Sequence, residues 1–424
     1  MKGTILVLAL CSAAHSQPVP VASLYAAALA HAPVLGEAAA DARRADFEKE
    51  RAAAGFLPRV SASGESDGWA SAAQANPQII VRPGHEDSWE LRAEETVFEG
   101  GRVVNRYRQA SGEARSAGYS QAARRQALLH EVGTLSLRWL EASESVRQAD
   151  AELERRAGHL DDMKKRQFAG SVPESDTLRA ESELDKAKSE KIESARLLLE
   201  TRSRLETLTG LDLSAGLAAP GPLPLPGQSR EDLAKTASEK NPRISADRES
   251  LSAAQAGKKA QEGGFLPSVV VGGAYRGMRE SPQAFDYLSH ETLGFVQARW
   301  ALFSGGQTRA SVKAAQAAAE GSAERLRQTK DARSLDARLA FDAAKADESA
   351  IAAETSRRDS AAAAYDKVKK RYEAGMDPYL NLLDAATALK TADAALNRAR
   401  YARERSVLDL YLALGALDEA VAAR

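Results

Sequence analysis

Gly264-Phe265-Leu266-Pro267, followed by Leu302-Phe303-Ser304-Gly305-Gly306, decides the fold, because both pieces occur twice in the chain. Gly55-Phe56-Leu57-Pro58 stands 209 positions before the first, and Val97-Phe98-Glu99-Gly100-Gly101 stands 205 positions before the second. The 205 offset then holds for Ala169-Gly170 with Ala374-Gly375, for Pro173 with Pro378 and for Gly210 with Gly415. The change from 209 to 205 puts a four-residue length difference between Pro58 and Val97, where a loop absorbs it. Landmarks in one register along 424 residues mark an internal duplication.

The duplication predicts a first structural repeat over 17–210 and a second over 230–417, with a tail at 418–424. Each repeat opens with a helix, about 21–54 and about 230–262. Two extended segments follow, 55–69 and 88–98 in the first repeat, 264–278 and 292–303 in the second. A helical hairpin completes each repeat, 102–209 and 307–414, its long arm ending near 168 and 373. Between the repeats, 211–229 carries Pro220, Pro222, Pro224 and Pro226. Alternating prolines fix φ and remove donors, so this linker is extended.

A helix over 102–168 would be about 100 Å long at ~1.5 Å per residue. The segments 174–209 and 230–262, stacked end to end, approach that length. Leu382, Leu389 and Leu396 are spaced by seven, with Ala385, Ala392 and Ala399 three after each. The seam breaks at Arg403 and Ser406 and resumes at Leu410 and Ala413. Heptads of this kind make coiled coils, and alanine lets backbones approach closely. They suit a wall of helices, and equally a solvated rod. At the hairpin turns, Gly170 and Gly375 supply the left-handed residue that ends a helix. Pro173 and Pro378 can start the next helix, and Asp377 is placed to N-cap the second.

The extended segments alternate with period two. Val296, Ala298, Trp300 and Leu302 alternate with Gln297, Arg299 and Ala301; Trp89, Leu91, Ala93 and Val97 alternate with Glu90, Arg92, Glu94 and Thr96. One apolar and one polar face suit strands of an outer-membrane barrel, and also surface hairpins on a helical protein. Glu95 falls in the apolar register, which places it near an interface in the barrel reading. Four strands cannot close a barrel, since about eight is the smallest common number. Chains would then have to pool strands.

Composition narrows the function. The 58 Lys+Arg nearly balance 59 Asp+Glu, so nothing points to nucleic acid. Aromatics are 5%, which favours helices packed through small side chains over a wide core. The single cysteine, Cys11, excludes disulfides within the chain and Cys-ligated zinc sites. The six histidines fit no ligand spacing, and no nucleophile motif or phosphate loop is present, so no metal, cofactor or enzymatic chemistry is expected. Residues 1–16 read as a secretory signal peptide: Lys2, an apolar run from Ile5 to Ala14, and Ala14-His15-Ser16 before Gln17. Leu10 fits a lipid-attachment site at Cys11 poorly.

The arrangement from about Ser23 to Leu417 resembles the TolC-like outer-membrane efflux protein family. The most specific stretch is Arg371-Tyr372-Glu373-Ala374-Gly375-Met376-Asp377-Pro378-Tyr379-Leu380-Asn381-Leu382-Leu383-Asp384-Ala385, which looks like the family's second hairpin tip. The Gly-Phe-Leu-Pro and Phe-x-Gly-Gly segments resemble the points where the family's strands begin and end. The resemblance implies an α+β membrane protein, a homotrimer whose twelve strands form a β-barrel in outer-membrane lipid and whose coiled-coil hairpins continue it as a periplasmic α-helical barrel. Such a protein is the exit duct of a tripartite efflux pump or a type I secretion system, fed by an inner-membrane RND or ABC transporter through a periplasmic adaptor. The alternatives are a soluble periplasmic coiled-coil structural protein and an adaptor, though adaptors carry one hairpin and not two.

The resemblance also implies a gate at the hairpin tips. Tyr372 matches a gate tyrosine, Asp176 an acidic partner in the first hairpin, and Asp384 an acidic ring position. Asn381 stands where some members have a second ring aspartate, and Asp377 where some have a basic gate residue. Three copies of Asp384 around a narrow axis would repel one another and attract cations. Asp176 and Asp384 would equally favour the N-terminal turns of their helices without any gate. Gly170, Ser171, Val172, Gly375, Met376 and Asp377 are the expected adaptor-docking surface.

Overall fold

The structure is a computed structural model that describes residues 18–68, 73–76, 79–82, 85–281 and 287–422. The expected signal peptide and Cys11 lie outside the described residues. Two compact units emerge. One gathers the chain up to Glu37, Gln121–Pro242 and the chain from Lys330; the other gathers Ala38–Ser120 and Arg243–Thr329.

Four helices dominate. α3 (Arg102–Phe168) and α7 (Gln307–Glu373) have 67 residues each, and α4 (Glu174–Thr209) and α8 (Tyr379–Leu414) have 36 each. Basic side chains occupy the last turns of the long helices, Lys165 and Arg166 in α3, Lys370 and Arg371 in α7, where they face the negative end of the helix dipole. The expected single helices at the head of each repeat are each broken in two. α1 (Val21–His31) is followed by α2 (Pro33–Ala53), and α5 (Arg230–Lys240) by α6 (Pro242–Glu262). Pro33 and Pro242 cause the breaks: a proline ring drives the residue before it out of the helical region, and Ala32 and Asn241 have ψ of 119° and 131°.

In the first unit α1 packs on α4 and α5 packs on α8. Leu24, Tyr25, Leu129, Leu205, Leu223 and Leu408 belong to its core. The helix breaks meet the return helices of their own repeats. Asn241 Nδ2 donates to the Leu412 and Ala413 carbonyls at 3.1 and 2.9 Å, satisfying acceptors left over at the end of α8. Gly210, which ends α4, lies against the His31 ring, where a Cβ would come within 3.1 Å. The contacts at these junctions therefore join 174–209 to the head of its own repeat, not to 230–262 as the lengths suggest. The seam break in α8 is polar and satisfied: Arg403 Nη1 donates to the Leu223 carbonyl at 2.5 Å, and Ser406 Oγ donates to Asp347 at 2.7 Å.

The linker is pinned by a parallel bridge between β1 (Val19–Pro20) and β6 (Leu217–Ala218). The expected tail begins with a short helix, α9 (Leu417–Ala422), with Leu417 and Ala420 buried and Asp418 paired to Arg125 at 3.0 Å.

In the second unit β2 (Arg59–Gly68), β5 (His85–Glu99), β7 (Ser268–Ser281) and β8 (Tyr287–Arg299) form one antiparallel sheet in the order β2-β5-β7-β8. The Gly-Phe-Leu-Pro segments, expected to begin the strands, are 3₁₀ turns at Ala54–Phe56 and Gly263–Phe265 instead. Trp300 and Leu302, expected within the fourth strand, lie beyond its end at Arg299. A further short hairpin, β3 (Ala73–Asn76) with β4 (Ile79–Arg82), falls between the expected segments 55–69 and 88–98.

Cross-strand pairs put Val60 beside Ala93, Glu95 beside Val271 and Val271 beside Val296 on one face, with Leu91 and Val97 exposed on the same side. The other face is polar. Glu90 ties Arg92 at 2.6 Å and Arg276 at 2.5 Å, and Phe295 lies under the Arg92 guanidinium at 5.3 Å. No single helix among the described residues is long and apolar enough to cross a membrane.

Candidate functional site at the hairpin tips

Both turns have the same backbone. Ser171 N–H donates to the Arg166 carbonyl and Met376 N–H to the Arg371 carbonyl, each at 2.8 Å. Gly170 and Gly375, at φ of 71° and 73°, let the chain reverse in this way. α4 and α8 then start after Pro173 and Pro378, whose φ and ψ are −72° and 154° in both cases, with no side-chain cap. Asp377 therefore does not cap α8 as expected. Its carboxylate turns back to Arg371, 2.9 Å away, because a guanidinium at the end of α7 is within reach across the tight turn.

The second hairpin leans on the first through Tyr372. Its ring packs against the cluster of Leu160, Met163 and Ala180, which Val172 and Leu184 also cover, and the Arg166 guanidinium lies over it at 5.1 Å. Burial pushes the Tyr372 hydroxyl pKa up; the nearby positive charge of Arg166 opposes this, and Asp162 and Asp176 add to it. That hydroxyl is buried with no hydrogen-bond partner among the described residues. Asp176 thus lies near Tyr372 without accepting a hydrogen bond from it.

Asn381 and Asp384 are exposed on α8. Gly170, Ser171, Gly375 and Met376 are exposed at the turns, whereas Val172 turns inward to the Tyr372 cluster. The same region holds residues that sequence reasoning missed. Phe168, just before the first turn, is 96% exposed. His159 stacks on Tyr379 with ring centroids 3.9 Å apart and planes 9° apart. Arg156 stands at the Tyr379 hydroxyl and also pairs with Glu152 at 2.7 Å. Burial alone would raise the Glu152 carboxyl pKa, but Arg155 and Arg156 outweigh it and hold it below the usual carboxylate range. The signal for His159 and Tyr379 would have been their side-chain types on helical hairpins that must meet; nothing in local spacing links them.

Two long hairpins and a four-stranded sheet with one apolar face, built from two repeats, define a TolC-like outer-membrane channel protein. The family described as outer membrane efflux protein matches residues 24–211 and again residues 233–416. The chain belongs to this family. Solved outer-membrane channels share the fold. The chain is similar to CusC at 19% identity, TM-score 0.83, over 93% of this chain and 91% of that one. It is similar to the Campylobacter jejuni CmeC outer membrane channel at 17% identity, TM-score 0.83, over 93% and 85%. It is similar to the open state of the Neisseria gonorrhoeae MtrE outer membrane channel at 20% identity, TM-score 0.76, over 94% and 89%. The chain matches no curated protein sequence.

Proposed function

We propose that three copies of this chain form one passive exit duct, exported by the signal at 1–16, which takes substrates from an inner-membrane RND or ABC transporter through a periplasmic adaptor and across the outer membrane. Each copy supplies β2, β5, β7 and β8 to a twelve-stranded barrel and α3, α4, α7 and α8 to a helical barrel.

The observation that carries this reading is the sheet, with its apolar face and two open edges. Lipid offers no partner to a bare strand edge, so β2 of one copy must pair with β8 of the next. From Trp89 to Phe98 the strand rises about 30 Å, or about 23 Å along the membrane normal at a tilt near 40°, close to the ~25 Å apolar band of such barrels. Trp89, Tyr275 and His290 cluster at one limit of this band, with Trp89 and Tyr275 centroids 5.0 Å apart. Phe56, Phe98, Phe265 and Trp300, all exposed, mark the other limit. Glu95, three residues from Phe98, sits near that boundary, where a carboxylate costs little.

Tyr372, Asp176, Asp377, Asn381 and Asp384 form the gate region in this reading, with the Asp384 ring attracting cations. Gly170, Ser171, Val172, Gly375, Met376 and Asp377 receive the adaptor. Fractionation followed by sizing in detergent tests the assembly. The expected result is a membrane-bound particle of three chains; a monomer in the soluble fraction without detergent overturns the proposal.

A further inference from the structure

We propose that closure of the hairpin tips depends on His159 as a positioning residue, an uncharged imidazole wedged between the two hairpins whose protonation releases them. The inference rests on the gate reading above and extends it to residues outside the tip motif. His159 belongs to α3, while the rings it meets belong to the other hairpin: Tyr379 at the start of α8, stacked at 3.9 Å, and Tyr372 at the end of α7, at 6.2 Å between centroids. Its Nε2 is buried with no hydrogen-bond partner among the described residues, so nothing is placed there to receive a proton's charge. Arg156 and Arg166 of the same helix flank it, at the Tyr379 hydroxyl and over the Tyr372 ring.

The charges that act on this ring come from its own helix, and the elements packed against it bring two tyrosines with acidic groups near them. Asp162, with Arg156 and Arg166, lies on α3; Asp176 and Glu183 of α4 stand near the two tyrosines; Tyr372 and Tyr379 come from α7 and α8. Asp162 favours the protonated ring, but burial followed by Arg156 and Arg166 outweighs it, and the imidazole pKa falls to about 4. An imidazole released to water titrates near 6.5. The closed arrangement therefore binds fewer protons than the open one. Its advantage is complete above about pH 6.5 and is lost as pH falls towards about 4, by up to tenfold in the closed-to-open ratio per pH unit.

The test is single-channel recording of the full-length protein in planar lipid bilayers from pH 7.5 to 4. Wild-type open probability is expected to climb through this window. His159→Phe, which keeps a flat neutral ring, is expected to flatten the profile, and Tyr379→Leu, which removes the stacking partner, to leak at pH 7.5. A wild-type profile without the climb, or a climb that survives in His159→Phe, overturns the proposal. Tyr372→Ala separates this failure from failure of the gate itself: if that variant also conducts like wild type at every pH, the tips do not gate the duct at all.

Discussion

The two hairpin tips share one backbone and almost no chemistry. At equivalent positions the first has Arg166, Gln167, Phe168, Ser171, Val172 and Glu174; the second has Arg371, Tyr372, Glu373, Met376, Asp377 and Tyr379. The shared glycines and prolines make the reversal, which either tip needs merely to fold. Divergence at one position makes one hairpin a receptor and the other an insert: Tyr372, standing where the first tip has Gln167, is cradled by Met163, Arg166 and Ala180 of the first hairpin. A duplicated backbone thus serves two roles because its side chains were free to differ.

The largest expected contrast lies more than about four helical turns from the tips. Glu152 is 4% exposed and holds Arg156, which is 10% exposed. Glu152→Ala strands that guanidinium and should cost about 3 kcal/mol. The equivalent position in the second hairpin is Arg357, half exposed in its pair with Glu354, and Arg357→Ala should cost about 0.5 kcal/mol or less. Denaturation followed by circular dichroism measures both, and equal losses would break the contrast. Next comes Tyr372→Ala. Removing a half-buried ring worth about 1.4 kcal/mol should shift the closed-to-open ratio about tenfold and raise antibiotic leak in cells, whereas Gln167→Ala should leave leak at the wild-type level.

The backbone half of the comparison has its own test. Gly170→Ala and Gly375→Ala each force a side chain into the left-handed region, with no neighbouring atom close enough to clash. Each should cost about 1 kcal/mol, and the two melting temperatures should fall together. The smallest effect belongs to Asp377→Asn. Its partner Arg371 is 61% exposed, so loss of the pair should cost about 0.5 kcal/mol and vanish in high salt; a larger change would give Asp377 a role beyond the turn.

The long hairpins were legible because their ends are written locally, in Gly170, Pro173, Gly375 and Pro378. The breaks at Pro33 and Pro242 were equally explicit, but a continuous polar helical pattern on both sides hid them. Strand limits were less legible, since Gly-Phe-Leu-Pro satisfies strand composition while a proline at its end fits a tight turn just as well. At the tips, Tyr372 stands in a local motif, and its packing on the first hairpin is what the structure adds. The relation of His159 and Arg156 to Tyr379 was not legible, because it exists only after two helices separated by two hundred residues meet. Asp377 misled for a related reason: helix-capping composition does not reveal that Arg371 competes for the same carboxylate.

The ladder between β5 and β7 welds the first repeat to the second with the same antiparallel pairing that runs within each repeat. A half-length polypeptide carrying one repeat would therefore expose the same two kinds of border. If three full chains close the ring, six such halves would close it too, and the covalent joint through Pro220 to Pro226 is what allows alternate staves to evolve apart.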